Sequence, residues 1–296
     1  APSAAEPTSG ARHWKARGEN VIAAADLIFS STFYASNALA GGGPDLIIRL
    51  GRAPLLWAAQ TLVRNRPEAT QIVVGTAREI PDPDHLVDAQ FICDEKLLFQ
   101  AALKALTHTE PTRETAPEWL ESHQAADKIA QKTLTDALSG IETLNSARFW
   151  DELGQILPEN AALFVSNSMA TRDLDTFMCR ADGAIDLHFN RGLNGIDGII
   201  SSGLGVAMGQ SLTQTGHPTP RPTALVLGDV ALRHDLAALI LARELGIDAT
   251  ILVIDNAGGA IFDYLPIRDF DAVHQRHFIT RPPVSMREML PSSVEL

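Results

Sequence analysis

Few features of this sequence invite a covalent or membrane explanation. It has only two cysteines, Cys93 and Cys179, far apart in the chain, so it carries no disulfide framework and a reducing cytoplasm is the expected compartment. No apolar run approaches the ~20 residues of a membrane span. Basic residues are outnumbered, 24 against 36 acidic, giving a formal net charge of −12. That balance argues against nucleic acid or an anionic membrane as partner, and any anionic ligand must be met by locally placed arginines or a cation. The chain begins APSAAEPTSGARHW, without an initiator Met or the apolar core of a signal peptide. Residues 1–19 are expected to form a disordered tail, and the other end stops without another strong strand. The sequence therefore looks like part of a longer protein.

What is present is alternation. DLIIRLG, QIVVGT and AQFICD are short strand patterns, with the amphipathic APLLWAAQTLVRNR after the first and the helical EKLLFQAALKAL after the third. Residues 20–108 are expected to form a small Rossmann-like domain, opening with a helix over residues 20–39. No Gly-x-Gly-x-x-Gly follows its strands, so it reads as structural, or as a site left vacant, in preference to a nucleotide binder. Residues 109–117, polar and carrying prolines, read as a linker. Beyond them, 118–296 is expected to be a second α/β domain. It opens with helices over 118–138 and 146–157 and continues through the strands AALFVSNS and GAIDLHF. The fold class is α/β, two Rossmann-like parallel-sheet domains.

The most informative stretch is Thr223 to Gly259, TALVLGDVALRHDLAALILARELGIDATILVIDNAGG. TALVL and ATILVI are apolar and β-branched, as in strands covered on both faces. Between them Leu232, Leu236, Leu239 and Ile240 recur at helical spacing, with Gly246 as the stop. A strand-helix-strand unit carries Asp229 and Asn256 to one carboxyl edge, where open α/β sheets bind ligands. Their oxygens and a carbonyl near Gly258 form a hard-oxygen half-shell suited to Mg²⁺. Local chemistry supports a second reading equally: Asp229 caps the helix and Asn256 starts a turn.

Three loops, Ser166 to Arg172, Asn190 to Gly198 and Gly228 to Val230, each follow a strand and precede a helix. Their helix N-termini offer N–H groups to anionic oxygens. Asn167 and Ser168 read as phosphate or carboxylate donors, or as an N-cap pair. Arg172 and Arg191 are candidate carboxylate partners, or a solvated helix residue and a turn residue. GLGVAMG, Gly203 to Gly209, mimics a nicotinamide motif. It lacks a preceding strand and the later acidic residue, so close helix packing explains it better. His274 and His277 have no third ligand and read as surface or packing histidines.

Gly-Asp ending one strand and Asn ending the next resembles the cofactor signature of thiamine-diphosphate (ThDP) enzymes. Val230 and Asp255 depart from residues common in that family, but neither removes a ligand. FVSNSMATR, FNRGLNGIDG, the GDV and DN pair, and AGGAIFDYLP together resemble one branch of it. That branch comprises the 2-succinyl-5-enolpyruvyl-6-hydroxy-3-cyclohexene-1-carboxylate synthases of menaquinone biosynthesis.

The resemblance implies decarboxylation of 2-oxoglutarate on ThDP and addition of the succinyl-semialdehyde unit to isochorismate, in a homodimer or homotetramer. It implies Mg²⁺ or Mn²⁺ held by Asp229, Asn256 and the Gly258 carbonyl. Cofactor contacts are implied for Asn167, Ser168, Ile196, Gly228, Asp229, Asn256 and Gly258, and substrate contacts for Ser168, Arg172 and Arg191. Ile196 is the apolar prop of the bent cofactor. On this reading 118–296 is the diphosphate-binding domain, short of its C-terminal strand. The pyrimidine-binding domain, with the Glu that activates the cofactor, has no match in the chain. No catalytic residue is therefore expected here, and the chain alone should not turn over. Other ThDP decarboxylases or acetolactate-synthase-like carboligases, and a non-catalytic subunit of the same fold, are the alternatives.

Overall fold

Parallel pairing runs through every sheet of the computed structural model, which describes residues 2–9, 11–12, 18–31, 43–55, 57–78, 82, 84–108, 117–179, 183–212 and 221–290. By their contacts the residues divide into two units, Ala1–Glu6 with Gly18–Ala137, and Pro7–Arg17 with Leu138–Leu296.

In the first unit β1 (Ser3–Ala4) pairs with β2 (Val21–Ile22). A three-stranded sheet follows in the order β3 (Leu46–Leu50), β4 (Thr70–Gly75), β5 (Ala89–Ile92). The helices are α1 (Ala25–Phe29), α2 (Trp57–Arg64), α3 (Glu95–Leu106) and α4 (Pro117–Ser139). Central β4 buries Val73 and Val74. α3 begins where Asp94 accepts a hydrogen bond from the Leu97 amide at 3.0 Å, an N-cap worth about 1 kcal/mol. Asp127 on α4 accepts from the Ala24 amide at 2.7 Å and so ties α4 to the start of α1.

Three expectations need correction. The helix expected over residues 20–39 is a short strand and the five-residue α1; residues 32–42 lie outside the described residues. α4 groups with the first unit as far as Ala137, so the unit boundary falls later than the expected linker, of which residues 109–116 lie outside the described residues. The described part of the expected disordered tail is ordered: β1 is followed by a 3₁₀ turn at Pro7–Ser9 and by a buried Arg12. The reason is a pairing across 163 residues of sequence. The Arg12 guanidinium donates to the carboxylate and the backbone carbonyl of Asp175, also buried, and lies 3.8 Å from the Cys179 sulfur. Removing one partner of such a buried pair costs about 3–5 kcal/mol.

The second unit holds a four-stranded parallel sheet, β6 (Ala162–Val165), β7 (Asp186–Phe189), β8 (Thr223–Gly228) and β9 (Thr250–Ile254), in the order β7-β6-β8-β9. Its helices are α5 (Ser146–Ile156), α6 (Met169–Phe177), α7 (Ile199–Leu212), α8 (Asp229–His234) and α9 (Ala237–Leu245). The apolar runs are continuous because both faces are covered. Leu163, Val165, Ala224 and Val226 point into a core with Trp150, Leu153 and Leu174 of α5 and α6. Their alternates Phe164, Leu225 and Leu227 point into another with Ile199, Ile200 and Leu204 of α7 and Leu232 of α8. Each fully buried aliphatic side chain contributes about 1.5–3 kcal/mol.

GLGVAMG lies inside α7, where a Cβ on Gly203 would sit 2.4 Å from Leu225 Cδ2, so the glycine lets the helix approach β8 closely. The helix expected between β8 and β9 is in fact two, α8 and α9. The break is at Asp235, whose carboxylate accepts from Ser201 N at 2.7 Å and Ser201 Oγ at 2.9 Å. Gly246 ends α9 in a left-handed conformation, φ 62°. Past β9 the chain runs through 3₁₀ turns at Ala260–Tyr264 and Pro266–Asp269, then α10 (Asp271–His274) and a π turn at Gln275–Ile279. Among the described residues no helix is long and apolar enough to cross a membrane.

Candidate functional site

The strand order creates the site. From β6 the chain moves outward to β7; from β8 it moves to β9 on the opposite side. The crevice between the carboxyl ends of β6 and β8 is therefore the topological switch point, where open α/β sheets bind ligands. Ser166, Asn167 and Ser168 leave β6 there, and Gly228 and Asp229 leave β8. Asn190 and Arg191 follow neighbouring β7, and Asp255 and Asn256 follow β9. Parallel pairing brings all four strand ends to one edge, as the spacing of the loops suggests.

Asp229 is the dominant electrostatic feature. It is only 1% exposed, and its ion-pair partner Arg233 Nη2 is 3.4 Å away and one helical turn along. Burial, and then the Asp255 carboxylate, push its pKa above the ordinary value; Arg233 and the Val230 amide oppose them. Such a carboxylate is a good ligand for an added cation. Asn256 is exposed. Gly258 is buried with φ 130°, and a Cβ there would lie 2.2 Å from the Ile279 carbonyl oxygen. Among the described residues no three His, Cys, Asp or Glu side chains gather as a metal cage. A metal at this edge must therefore draw on amide and backbone oxygens as well as on Asp229.

The anion-binding features are uneven. Ser168 begins α6 with φ 68° and makes no side-chain cap, so the first amides of α6 have no Ser168 hydroxyl on them. The hydroxyls of Ser166, at the end of β6, and Thr171, in the first turn of α6, are buried with no hydrogen-bond partner among the described residues. Arg172 Nη1 donates to the Ser168 carbonyl at 2.6 Å, folding back along its own helix. Asn167 is 2% exposed; its amide nitrogen donates to the carbonyls of Asn190 at 2.7 Å and Gly195 at 2.6 Å, and its oxygen accepts from Arg191. At α7 the expected anion is supplied from within: Asp235 takes the Ser201 amide. α8 has only six residues and offers little dipole. Ile196 packs against the core of α7 and α8, and Gly228 precedes α8 in extended conformation.

A cleft of about 620 Å³ opens beside Asn256, bordered by Met169, Asp173, Asp263, Tyr264, Arg268 and His274. His274 is buried with Nε2 3.2 Å from Asp263 Oδ1, whereas His277 is exposed. The packing reading of His274 holds. Sequence reasoning passed over this cleft and Asp173, because an Asp inside an amphipathic helix looks solvated until the α5 packing is seen. Burial raises the Asp173 pKa to about 6, against the Ser146 hydroxyl and Arg172, which lower it. A carboxyl raised on folding favours the fold fully below its unfolded pKa of about 3.9, and that contribution is lost as pH rises through about 6. Asp173→Asn should therefore raise Tm relative to wild type increasingly between pH 4 and 7, by ~2–4 °C per kcal/mol. A difference that stays flat across that range in calorimetric scans refutes the assignment.

The fold and this edge define the class: an α/β protein of two Rossmann-like parallel-sheet units, the second with a polar site at its switch point. No family model matches the chain. Curated proteins do. It is 33% identical over 265 residues to the 2-succinyl-5-enolpyruvyl-6-hydroxy-3-cyclohexene-1-carboxylate synthase of Chloroflexus aurantiacus, covering 90% of this chain and 43% of that protein. Synthases of the same name from Bacillus velezensis, 32% identical over 266 residues, and Listeria welshimeri, 29% over 265, are covered to the same extents. The chain is thus homologous, over nine-tenths of its length, to part of these synthases, and spans less than half the length of each.

Proposed function

We propose that the second unit holds the diphosphate and divalent metal of ThDP at the β6/β8 edge. The enzyme it serves decarboxylates 2-oxoglutarate and transfers the succinyl-semialdehyde unit to isochorismate. The observation that carries this is Asp229, a carboxylate buried at the switch point with Asp255 beside it and only a long 3.4 Å ion pair, to Arg233, opposing its charge. The names of the homologous synthases support the reaction.

Asp229, Asn256 and the Gly258 carbonyl would hold Mg²⁺ or Mn²⁺, a hard-oxygen set suited to either ion. The residues present fit this role, since a divalent ion would relieve the burial of Asp229 and its repulsion from Asp255. When bound, ThDP supplies the electron sink that decarboxylation of a 2-oxo acid requires. The chain's own residues bind and orient. The start of α6 at Ser168 would offer its uncapped amides to an anion. Arg191, with Arg172 one turn into α6, brings positive charge to an otherwise acidic chain for carboxylate and phosphate oxygens. Ile196 lends an apolar surface. We assign no catalytic acid or base among these residues, and expect turnover to need the activating Glu of a pyrimidine-binding domain in a homo-oligomer.

Titrating ThDP into the chain by calorimetry tests the reading. Saturable heat is expected with Mg²⁺ and not with EDTA; the same heat in both, or none in either, counts against it.

A further inference from the structure

The Asn167 side chain bridges two loops that are far apart in sequence. Its amide nitrogen donates to the carbonyls of Asn190 and Gly195, and its oxygen accepts from the Arg191 guanidinium. One planar group, 2% exposed, thus engages three residues of the β7–α7 loop. Asparagine suits the task because it carries two donors and an acceptor on one short side chain. The loop is open to solvent at its tip: Gly192, Leu193, Asn194 and Gly195 are exposed, Leu193 at 98%, and Asn194 has φ 59°. At its start, the Asn190 side chain donates to Ser202 Oγ at 2.8 Å and so anchors to α7. Between that anchor and Ile196, Asn167 adds three side-chain hydrogen bonds to the loop.

Both amide protons are committed inside the protein, so they are not available to a cofactor oxygen. We infer that Asn167 is a positioning residue: it presets the β7–α7 loop and holds Arg191 at the switch point before any ligand arrives. Its importance to the reaction rests on the reading of Arg191 proposed above, but the clamp itself can be tested without ligand.

Aspartate at this position separates the two halves of the clamp. It can still accept from Arg191, and more strongly, but it cannot donate to the Asn190 and Gly195 carbonyls. In the ligand-free chain, Asn167→Ala and Asn167→Asp should both speed amide hydrogen exchange across residues 190–198 on the order of tenfold. Phenylglyoxal modification of Arg191, followed by mass spectrometry, should accelerate several-fold in Asn167→Ala and remain at the wild-type rate in Asn167→Asp. A merely structural asparagine would not produce that split. Unchanged exchange in both variants, or equally fast modification of Arg191 in both, overturns the inference. If Asn167→Ala does not fold, the Asn167→Asp comparison with wild type decides alone, because it predicts faster exchange with unchanged Arg191 reactivity. Failure of ThDP to bind with Mg²⁺ removes the functional reading and leaves these ligand-free results standing.

Discussion

Asp229→Asn is expected to make the ligand-free chain more stable and at the same time unable to use Mg²⁺. The substitution keeps the shape and removes the charge. Burial and Asp255 raise the pKa of Asp229 on folding. Its stabilising contribution is therefore complete only below the unfolded value of about 3.9, and is lost as pH rises through the folded value. At neutral pH the ionised carboxylate weighs against the fold, and Arg233, 3.4 Å away and partly exposed, offsets little of it. Asparagine escapes that cost, so Tm should rise by ~2–4 °C for each kcal/mol recovered. The gain should shrink toward pH 4. The ligand side moves in the opposite direction: loss of an anionic oxygen ligand should weaken Mg²⁺-dependent ThDP binding at least ~100-fold, beyond what loss of an outer-shell partner does. Calorimetric titration and thermal scans of the same two proteins decide it. Equal Mg²⁺-dependent heats in wild type and variant would sink the metal assignment, whatever Tm does.

The second large effect is expected from Gly258→Ala. At φ 130° a side chain is strained, and the added Cβ would lie 2.2 Å from the Ile279 carbonyl oxygen and 3.1 Å from its carbon. Both are backbone atoms, so no rotamer relieves the clash. That carbonyl is itself fixed, accepting from the Gly259 amide at 2.8 Å, and Ile279 is buried. Strain and overpacking together amount to about 3–5 kcal/mol, roughly 10 °C in Tm. Gly228→Ala is the control: its Cβ would meet nothing within 4 Å at φ −83°, and should cost less than about 1 kcal/mol. Similar Tm values for the two variants would show that the Gly258 approach is not close in solution.

Much of the second unit was legible because its signals are local. TALVL and ATILVI announce strands buried on two faces, and strand-helix-strand chirality takes Asp229 and Asn256 to the same edge. The limits of β5 and α3 lie close to their sequence patterns for the same reason. What escaped depends on partners distant in sequence. Nothing near Asp235 says that Ser201 will take its carboxylate and split the helix. Asn167 looks like a cap or a ligand donor until the Asn190 and Gly195 carbonyls are beside it. Asp173 looks solvated until α5 covers it. Arg12, amid small and polar residues, gives no hint that Asp175 awaits it.

That last pair says something about chain threading. Residues Pro7–Arg17 group with the second unit, the chain then builds the first, and it returns only at Leu138. Both units are thus discontinuous in sequence, each made of a short early segment and a long later one. A fragment cut at Leu138 would contain the whole four-stranded sheet, yet it would leave Asp175 and the end of α6 without their arginine. The anchor for the helix that opens at Ser168 is encoded 163 residues before the aspartate it holds.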